Sequence, residues 1–464
     1  MNKKIIISVV AAVIVIAGAV VWFASSRPTA FKISLGLKES GALSQSDVIV
    51  GYGWSVKPDV KEAVKEAVIT ASENFKDGPP DYAILLSTAK YDSNELIKEL
   101  RLLLPNTKIQ GGTVMYGMYT KDGYHVGEDG SLAILAVSSP EITIGVGGAD
   151  VDKLVAAGLS AKEAGKEAGR QAILAALRDA GKEGEKPNII YMIGSFANEQ
   201  ALIGGIEDVV GKDVPIVGGS AFDEEGIGKW KQFVNGDVYT NGVALTAFFT
   251  DLTVAWAFEA GYEKTRYKGI ITKCEGPVIY EIDGRPALDV YDEWSGGLVS
   301  RVSAGSNEET VTEITKTALL PFAQIMTGAN GETHYVPMHP YFWNLKDRSV
   351  STGVNVEVGD EVTVMYGTWE KNLNHCQTTP AKAMNAWGIK KGEAYFAIYN
   401  YCLGKMLTIP EEERAKIPLL LNGALGGIPF IGGNTGGEQG FLEGVGNVHA
   451  GLDNSIIIFG PRQK

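Results

Sequence analysis

The stretch Val214-Pro215-Ile216-Val217-Gly218-Gly219-Ser220-Ala221-Phe222-Asp223 decides how the chain is read: a short apolar strand runs into two glycines, a hydroxyl and an acid. Its grammar recurs at Thr107-Lys108-Ile109-Gln110-Gly111-Gly112-Thr113 and at Ile428-Pro429-Phe430-Ile431-Gly432-Gly433-Asn434-Thr435. Each copy is preceded by an apolar run (Tyr82 to Leu86, Ile189 to Ile193, Ala394 to Tyr399) and a helical stretch. Each is followed by a Gly-rich turn and a second apolar run (Leu132 to Val137, Val243 to Phe249, Ile456 to Phe459). Self-similarity of this kind implies copies of one unit of strand, helix, strand, Gly-Gly loop and hairpin strand. The fold class expected is α/β.

Working outward, Val48 to Tyr52 and Ile142 to Gly147 read as strands, each ahead of a long helix. Pro58 to Phe75 repeats small apolar residues at helical spacing with proline in its first turn, and Ser160 to Ala180 is Ala-rich with a charged outer face. Ser93 to Leu104 is helical and closed by Pro105. The segment to about Asp251 therefore holds two copies of strand, long helix and Gly-Gly unit. In open α/β sheets ligands bind at the carboxyl ends of strands, which puts Ser87, Ser195 and the Gly-Gly loops on candidate binding edges; helix capping is the plainer role for either serine. Paired glycines allow positive φ and let successive N–H groups form an anion nest, or they serve tight turns alone.

The chain has 464 residues, 45% hydrophobic and 21% charged, enough for two or three domains. Its net charge of -13 is carried without any basic stripe, which excludes nucleic acid as the expected partner. Lys3 and Lys4 precede an uncharged apolar run from Ile5 to Phe23, long enough to span a bilayer. Residues 1–24 are expected to be a membrane anchor or signal segment and 25–47 a stalk, leaving the rest outside the cytoplasm on a single-pass membrane protein.

Cys274, Cys376 and Cys402 show no metal or redox spacing, although a Cys376–Cys402 disulfide is one open reading. The five histidines form no helical metal pair. Ser220 breaks the Gly-x-Ser-x-Gly elbow and no triad pattern attaches to it, so an enzyme is not expected; a hydrolase-like protein is the alternative.

Val214 to Asp223, with Gln232-Phe233-Val234-Asn235-Gly236 and Val238-Tyr239-Thr240-Asn241-Gly242-Val243, resembles the Gly-Gly-Ser-Ala-x-Asp region of the FIST family of paired sensory domains. Val278-Ile279-Tyr280-Glu281-Ile282-Asp283-Gly284-Arg285-Pro286-Ala287-Leu288-Asp289-Val290-Tyr291 looks like the opening of the C-terminal domain. Tyr401-Cys402-Leu403-Gly404-Lys405 stands where the family tends to have Ser-Cys-x-Gly-Arg, and Thr435-Gly436-Gly437-Glu438 matches its Thr-x-Gly-Glu. Lys405 puts a point charge where a bidentate guanidinium is usual.

The resemblance implies an N-terminal domain over 48–257 and a C-terminal domain over 258–464, two mixed α/β domains behind one transmembrane helix. It implies a sensor of small molecules, amino acids being the usual proposal; with no output domain visible in the sequence, signalling is expected to require a partner protein. Some members are described as haem-dependent gas sensors, for which His375 beside Cys376 is the candidate ligand. The expected ligand site comprises Gly218, Gly219, Ser220, Asp223, Cys402, Lys405, Gly432, Thr435, Gly437 and Glu438. Asp223 or Glu438 would meet an ammonium, and Lys405 with the glycine N–H groups would meet a carboxylate.

Overall fold

Tyr82–Ser87 is buried at every residue because it lies inside a sheet whose faces are both covered. The computed structural model describes residues 48–463 except 225, 227 and 307. In its first repeat, β1 (Ile49–Ser55), β2 (Tyr82–Ser87) and β3 (Lys108–Thr113) are followed by the hairpin β4 (Met115–Thr120) and β5 (Gly123–His125), then β6 (Leu132–Ser138). The helices Val60–Ser72 and Ser93–Leu103 begin where Asp59 and Asp92 accept the N–H groups of Glu62 at 2.9 Å and Glu95 at 2.8 Å.

The second repeat holds β7 (Ile142–Asp150), β8 (Ile189–Ser195), β9 (Ile216–Ala221), the hairpin β10 (Gln232–Val234) and β11 (Asp237–Tyr239), and β12 (Gly242–Thr250). Its long helix Ala161–Ala180 opens on a reciprocal Ser160–Glu163 capping box and ends at Gly181, whose φ of 66° suits a residue without Cβ. Small residues bring this helix directly onto β7: a Cβ on Gly145 would lie 1.9 Å from the Ala176 carbonyl oxygen. The first repeat does the same with Gly51 against Ala71, also at 1.9 Å.

β13 (Thr253–Glu259) starts the third repeat, which resumes after a long insertion containing β14 (Glu263–Lys264) through β23 (Glu361–Tyr366). It continues with the helix Trp369–Ala386, β24 (Phe396–Cys402), β25 (Phe430–Thr435), the hairpin β26 (Glu438–Leu442) and β27 (Gly446–Ala450), and β28 (Asn454–Gly460). The insertion folds into its own ten-stranded sheet with its own apolar core around Ile271, Tyr291, Phe322 and Trp343.

Hairpin exchange joins the repeats into a ring. The three six-stranded sheets run β1-β6-β2-β3-β10-β11, β7-β12-β8-β9-β26-β27 and β13-β28-β24-β25-β4-β5. Each repeat thus lends its hairpin to another repeat's sheet: the second to the first, the third to the second, and the first to the third. Exchange of this kind closes the free edge of every Gly-Gly strand. The boundary expected at 257/258 falls inside β13, and two of the sheets take strands from both sides of it.

Three expectations change here. The Gly-Gly pairs lie within strands, not turns, and none of Gly111, Gly112, Gly218, Gly219, Gly432 and Gly433 has positive φ. The first glycine of a pair admits its parallel neighbour, since a Cβ on Gly218 would lie 1.9 Å from the Met192 carbonyl oxygen. The second faces another repeat: Gly112 meets Ile193, Gly219 meets Thr435 and Gly433 meets Val114. The expected span Ile5–Phe23 lies outside the described residues, and no helix among those described is long and apolar enough to cross a membrane. The transmembrane helix, and with it the single-pass membrane location, is therefore not supported. Finally, Cys376 and Cys402 are both buried free thiols, so the disulfide is not formed.

Candidate functional site

Strand register makes the three repeats comparable residue by residue. Leu86 pairs with Gly112, Ile193 with Gly219 and Asn400 with Gly433, so Thr88, Ser195 and Cys402 share one position at a strand end. Three residues further stand Tyr91, Asn198 and Lys405. On the lent hairpins Met118, Gln232 and Glu438 face the second glycines, and Ser131, Gly242 and Asp453 stand one residue ahead of Leu132, Val243 and Asn454, which pair with Ser87, Gly194 and Tyr401. Contacts follow the same plan. The Ser131 hydroxyl points at Met118 Sδ at 3.9 Å, Gly242 N–H donates to Gln232 Oε1 at 3.1 Å, and Asp453 N–H donates to Glu438 Oε2 at 3.1 Å.

Of the three, only the third site carries carboxyl, amine and thiol groups. Thr88, Tyr91, Met118 and Ser131 bear no formal charge, nor do Ser195, Asn198, Gln232 and Gly242. The third holds a thiol, an amine and two carboxyls, all of them buried: Lys405 and Glu438 are 0% exposed, Asp453 2% and Cys402 4%. Lys405 Nζ donates to the Ala260 carbonyl at 2.9 Å and lies 5.8 Å from the ring centres of Tyr262 and Tyr401. Among the described residues no carboxylate comes within 4.0 Å of it. Glu438 Oε1 accepts the Thr435 hydroxyl at 2.7 Å, while Asp453 Oδ2 has no partner.

Burial sets the protonation states. It pushes the Glu438 and Asp453 carboxyls well above the ordinary carboxylate range, with Lys405 opposing the rise at Asp453. It pulls Lys405 down, against the pull of Asp453. The Cys402 thiol is pushed up by burial and by Glu438, against N–H groups of Lys405, Gly404 and Leu452, the last at 3.2 Å from Sγ. Burial thus disfavours the charged form of every member.

The insertion roofs this site. Tyr262, where the chain enters the insertion, donates its hydroxyl to the Ala318 carbonyl at 2.7 Å, and Gly451 N–H donates to the Pro337 carbonyl at 3.1 Å. His339 Nε2 lies 3.0 Å from both Thr317 Oγ1 and the Ile314 carbonyl, and its ring abuts Gly404. Burial lowers the His339 pKa to about 4, which keeps the imidazole neutral. Cys402 and Leu452 share one apolar cluster with Tyr262, Ala318 and Ala323.

Of the residues expected from sequence, the structure gathers Cys402, Lys405, Thr435 and Glu438. Ser220 lies beyond Gly219 in a separate buried chain, donating to Glu199 Oε1 at 2.6 Å and accepting from Gln439 Nε2 at 3.1 Å. His449 closes that chain, 3.2 Å from Gln439 and 3.8 Å from Glu199. Asp223 is elsewhere, accepting the N–H groups of Gly228 at 3.1 Å and Lys229 at 2.9 Å within its own loop. Gly218, Gly219 and Gly432 serve strand contacts, and Gly437 packs on His449. His375, the haem candidate, has its ring against Gly261. Asp453, Tyr262 and His339 were not expected; aligning the repeats as Ser131, Gly242 and Asp453 would have exposed the first.

The family follows from comparison with known domains. Residues 81–285 match the FIST N domain and residues 287–441 the FIST C domain. The chain belongs to the FIST family. FIST domains are associated with sensory signal transduction. An uncharacterized protein of Methanocaldococcus jannaschii is 36% identical over 90 residues, 19% of this FIST chain and 18% of that protein. Cyanuric acid hydrolase from A. caulinodans is similar over 90% of this chain and 100% of its own, at 9% identity and a TM-score of 0.36. A second cyanuric acid hydrolase structure aligns over 89% and 99%, at 8% identity and 0.34. Likeness at that level carries no statement about activity.

Proposed function

We propose that the chain is a binding module for a small zwitterion, an amino acid or a related small carboxylate, and that it signals through a partner protein. The observation that carries this reading is the third strand-end site, where Cys402, Lys405, Glu438 and Asp453 replace the uncharged residues of the equivalent positions. Placing four ionisable groups in a dry site costs free energy, so a fold that keeps them there in one repeat of three points to a ligand. A zwitterion answers both charges: its ammonium meets Asp453 and Glu438, and its carboxylate meets Lys405. The unfilled Asp453 Oδ2 is the acceptor such an ammonium needs. Binding would draw protons from both carboxyls and require the 263–366 roof to part from Cys402 and Leu452.

Mass spectrometry of small molecules retained by the purified protein, then calorimetry with the candidates, tests the proposal. Lys405→Met should weaken binding by about tenfold or more, the worth of one charge-assisted hydrogen bond. Retention of full affinity by Lys405→Met, or a ligand without opposite charges, would refute it.

A further inference from the structure

The floor of the site extends beneath the helix Trp369–Ala386 and carries a second set of polar groups. Along β28, Ile456 and Ile458 share an apolar cluster with Cys376 and Ala383 of that helix, while Ile457 and Phe459 face the opposite core. Side chains alternate along a strand, so Asn454 has the parity of Ile456 and faces the helix. It is 0% exposed, yet neither Oδ1 nor Nδ2 has a partner. Thr379 on the facing helix is also 0% exposed with its Oγ1 unpartnered. Buried polar atoms are nearly always hydrogen-bonded, so Asn454 calls for a partner.

The floor is continuous with the charged site. Asn454 follows Asp453 in the chain and pairs in register with Tyr401 and Glu259. Lys405 donates to Ala260, the residue after Glu259, and its charge bears on His375 and Cys376 of the helix.

We infer that the ligand is an amino acid whose side chain ends in a carboxamide, and that Asn454 reads that group. This rests on the binding-module proposal above and adds the side-chain class. A primary amide presents one donor edge and one acceptor edge in a single plane, as Asn454 does, so the two pair face to face through two hydrogen bonds. The match holds whichever way the Asn454 amide is turned, because donor and acceptor simply exchange. An alkyl side chain leaves both Asn454 atoms unfilled, and a carboxylate fills only the donor while bringing a further charge into a dry site.

Calorimetry on the purified full chain with glutamine, asparagine, glutamate and norleucine tests this. Glutamine or asparagine should bind at least about tenfold more tightly than norleucine and glutamate, the worth of two hydrogen bonds. In Asn454→Leu the preference should vanish, with amide affinity falling by about tenfold and norleucine affinity held or raised. The thermal midpoint of the unliganded Asn454→Leu protein should stay level or rise, because two unfilled polar atoms leave the interior. If norleucine binds the unaltered protein as tightly as glutamine, the carboxamide inference falls while the binding-module proposal stands. If Asn454→Leu melts lower and leaves the ligand ranking intact, Asn454 is structural and the inference falls. Binding of none of the four would overturn the inference and leave the binding-module proposal to the retained-ligand test alone.

Discussion

Glu438 is the sharpest place to test whether the buried site is neutral at rest. Its carboxyl is fully buried, accepts hydrogen bonds from Thr435 and from the Asp453 N–H, and is held by burial well above its ordinary value of 4.5. A carboxyl whose folded pKa is raised contributes stability that is complete below the unfolded value and is lost as pH climbs toward the folded one. Within that window the folded state keeps a proton that the unfolded state has released. One such proton costs about 1.4 kcal/mol of stability per pH unit. Glu438→Gln keeps the shape, offers its oxygen to the Asp453 N–H and its amide to the Thr435 hydroxyl, and has nothing to ionise.

The variant should therefore match the parent near pH 4.5 and exceed it at higher pH, the gap growing by more than about 1 kcal/mol between pH 5 and pH 7. Urea unfolding at half-unit intervals of pH reads this directly, and the difference between the two proteins removes the contributions of titrating groups remote from Glu438. A gap that shrinks or reverses as pH rises would show that Glu438 is ionised and paired in the folded protein. The neutral-site reasoning would then fail.

The roof gives a complementary signal, because the neutral His339 has its pKa lowered from 6.5 to about 4. Its contribution is present above pH 6.5 and is lost as pH falls toward 4, so His339→Gln should flatten the acid limb of a thermal-midpoint profile; an unchanged limb would refute this. Thiol labelling followed by peptide mass spectrometry should modify Cys274, which is only partly buried, well before Cys376 or Cys402, and equal rates would mean that the roof does not seal the site. A fragment of residues 48–257 should fail to fold as a monodisperse species, since it lacks β26 to cover β9 and β25 to receive β4. A cooperative unfolding transition from that fragment would contradict the ring.

Much of the architecture was legible because its signals are local. The helix read at 93–104 runs Ser93–Leu103, and that at 160–180 runs Ala161–Ala180 with Ser160 as its cap. The apolar runs from Tyr82, Ile189 and Ile456 all lie inside sheets, where burial on both faces removes the polar alternation. Hairpin exchange left no local trace. The pairing of β26 with β9 joins Glu438 to Gly219, and nothing in either stretch names the other. The same distance hid the roof, since His339 reaches Gly404 only because the insertion folds back over the third repeat.

The Gly-Gly pairs drew the reading toward an anion nest, and their actual role explains why they recur three times when the charged site does not. The second glycine of each pair is where one repeat touches another: a Cβ on Gly219 would lie 2.4 Å from Thr435 Cγ2, and one on Gly433 2.8 Å from Val114. Closing a ring of three needs that contact at every junction, so all three copies keep it. The ligand proposed above would need its reading groups once, and Cys402, Lys405, Glu438 and Asp453 occur once. The two demands meet at Thr435, which packs on Gly219 with one face and donates to Glu438 with its hydroxyl. Any bulk added at Gly219 therefore disturbs the junction and the Glu438 carboxyl together. Loss of binding there cannot separate a nest from a seam, whereas Asn454, which pairs only with Tyr401 and Glu259 of its own repeat, can be altered away from the junctions.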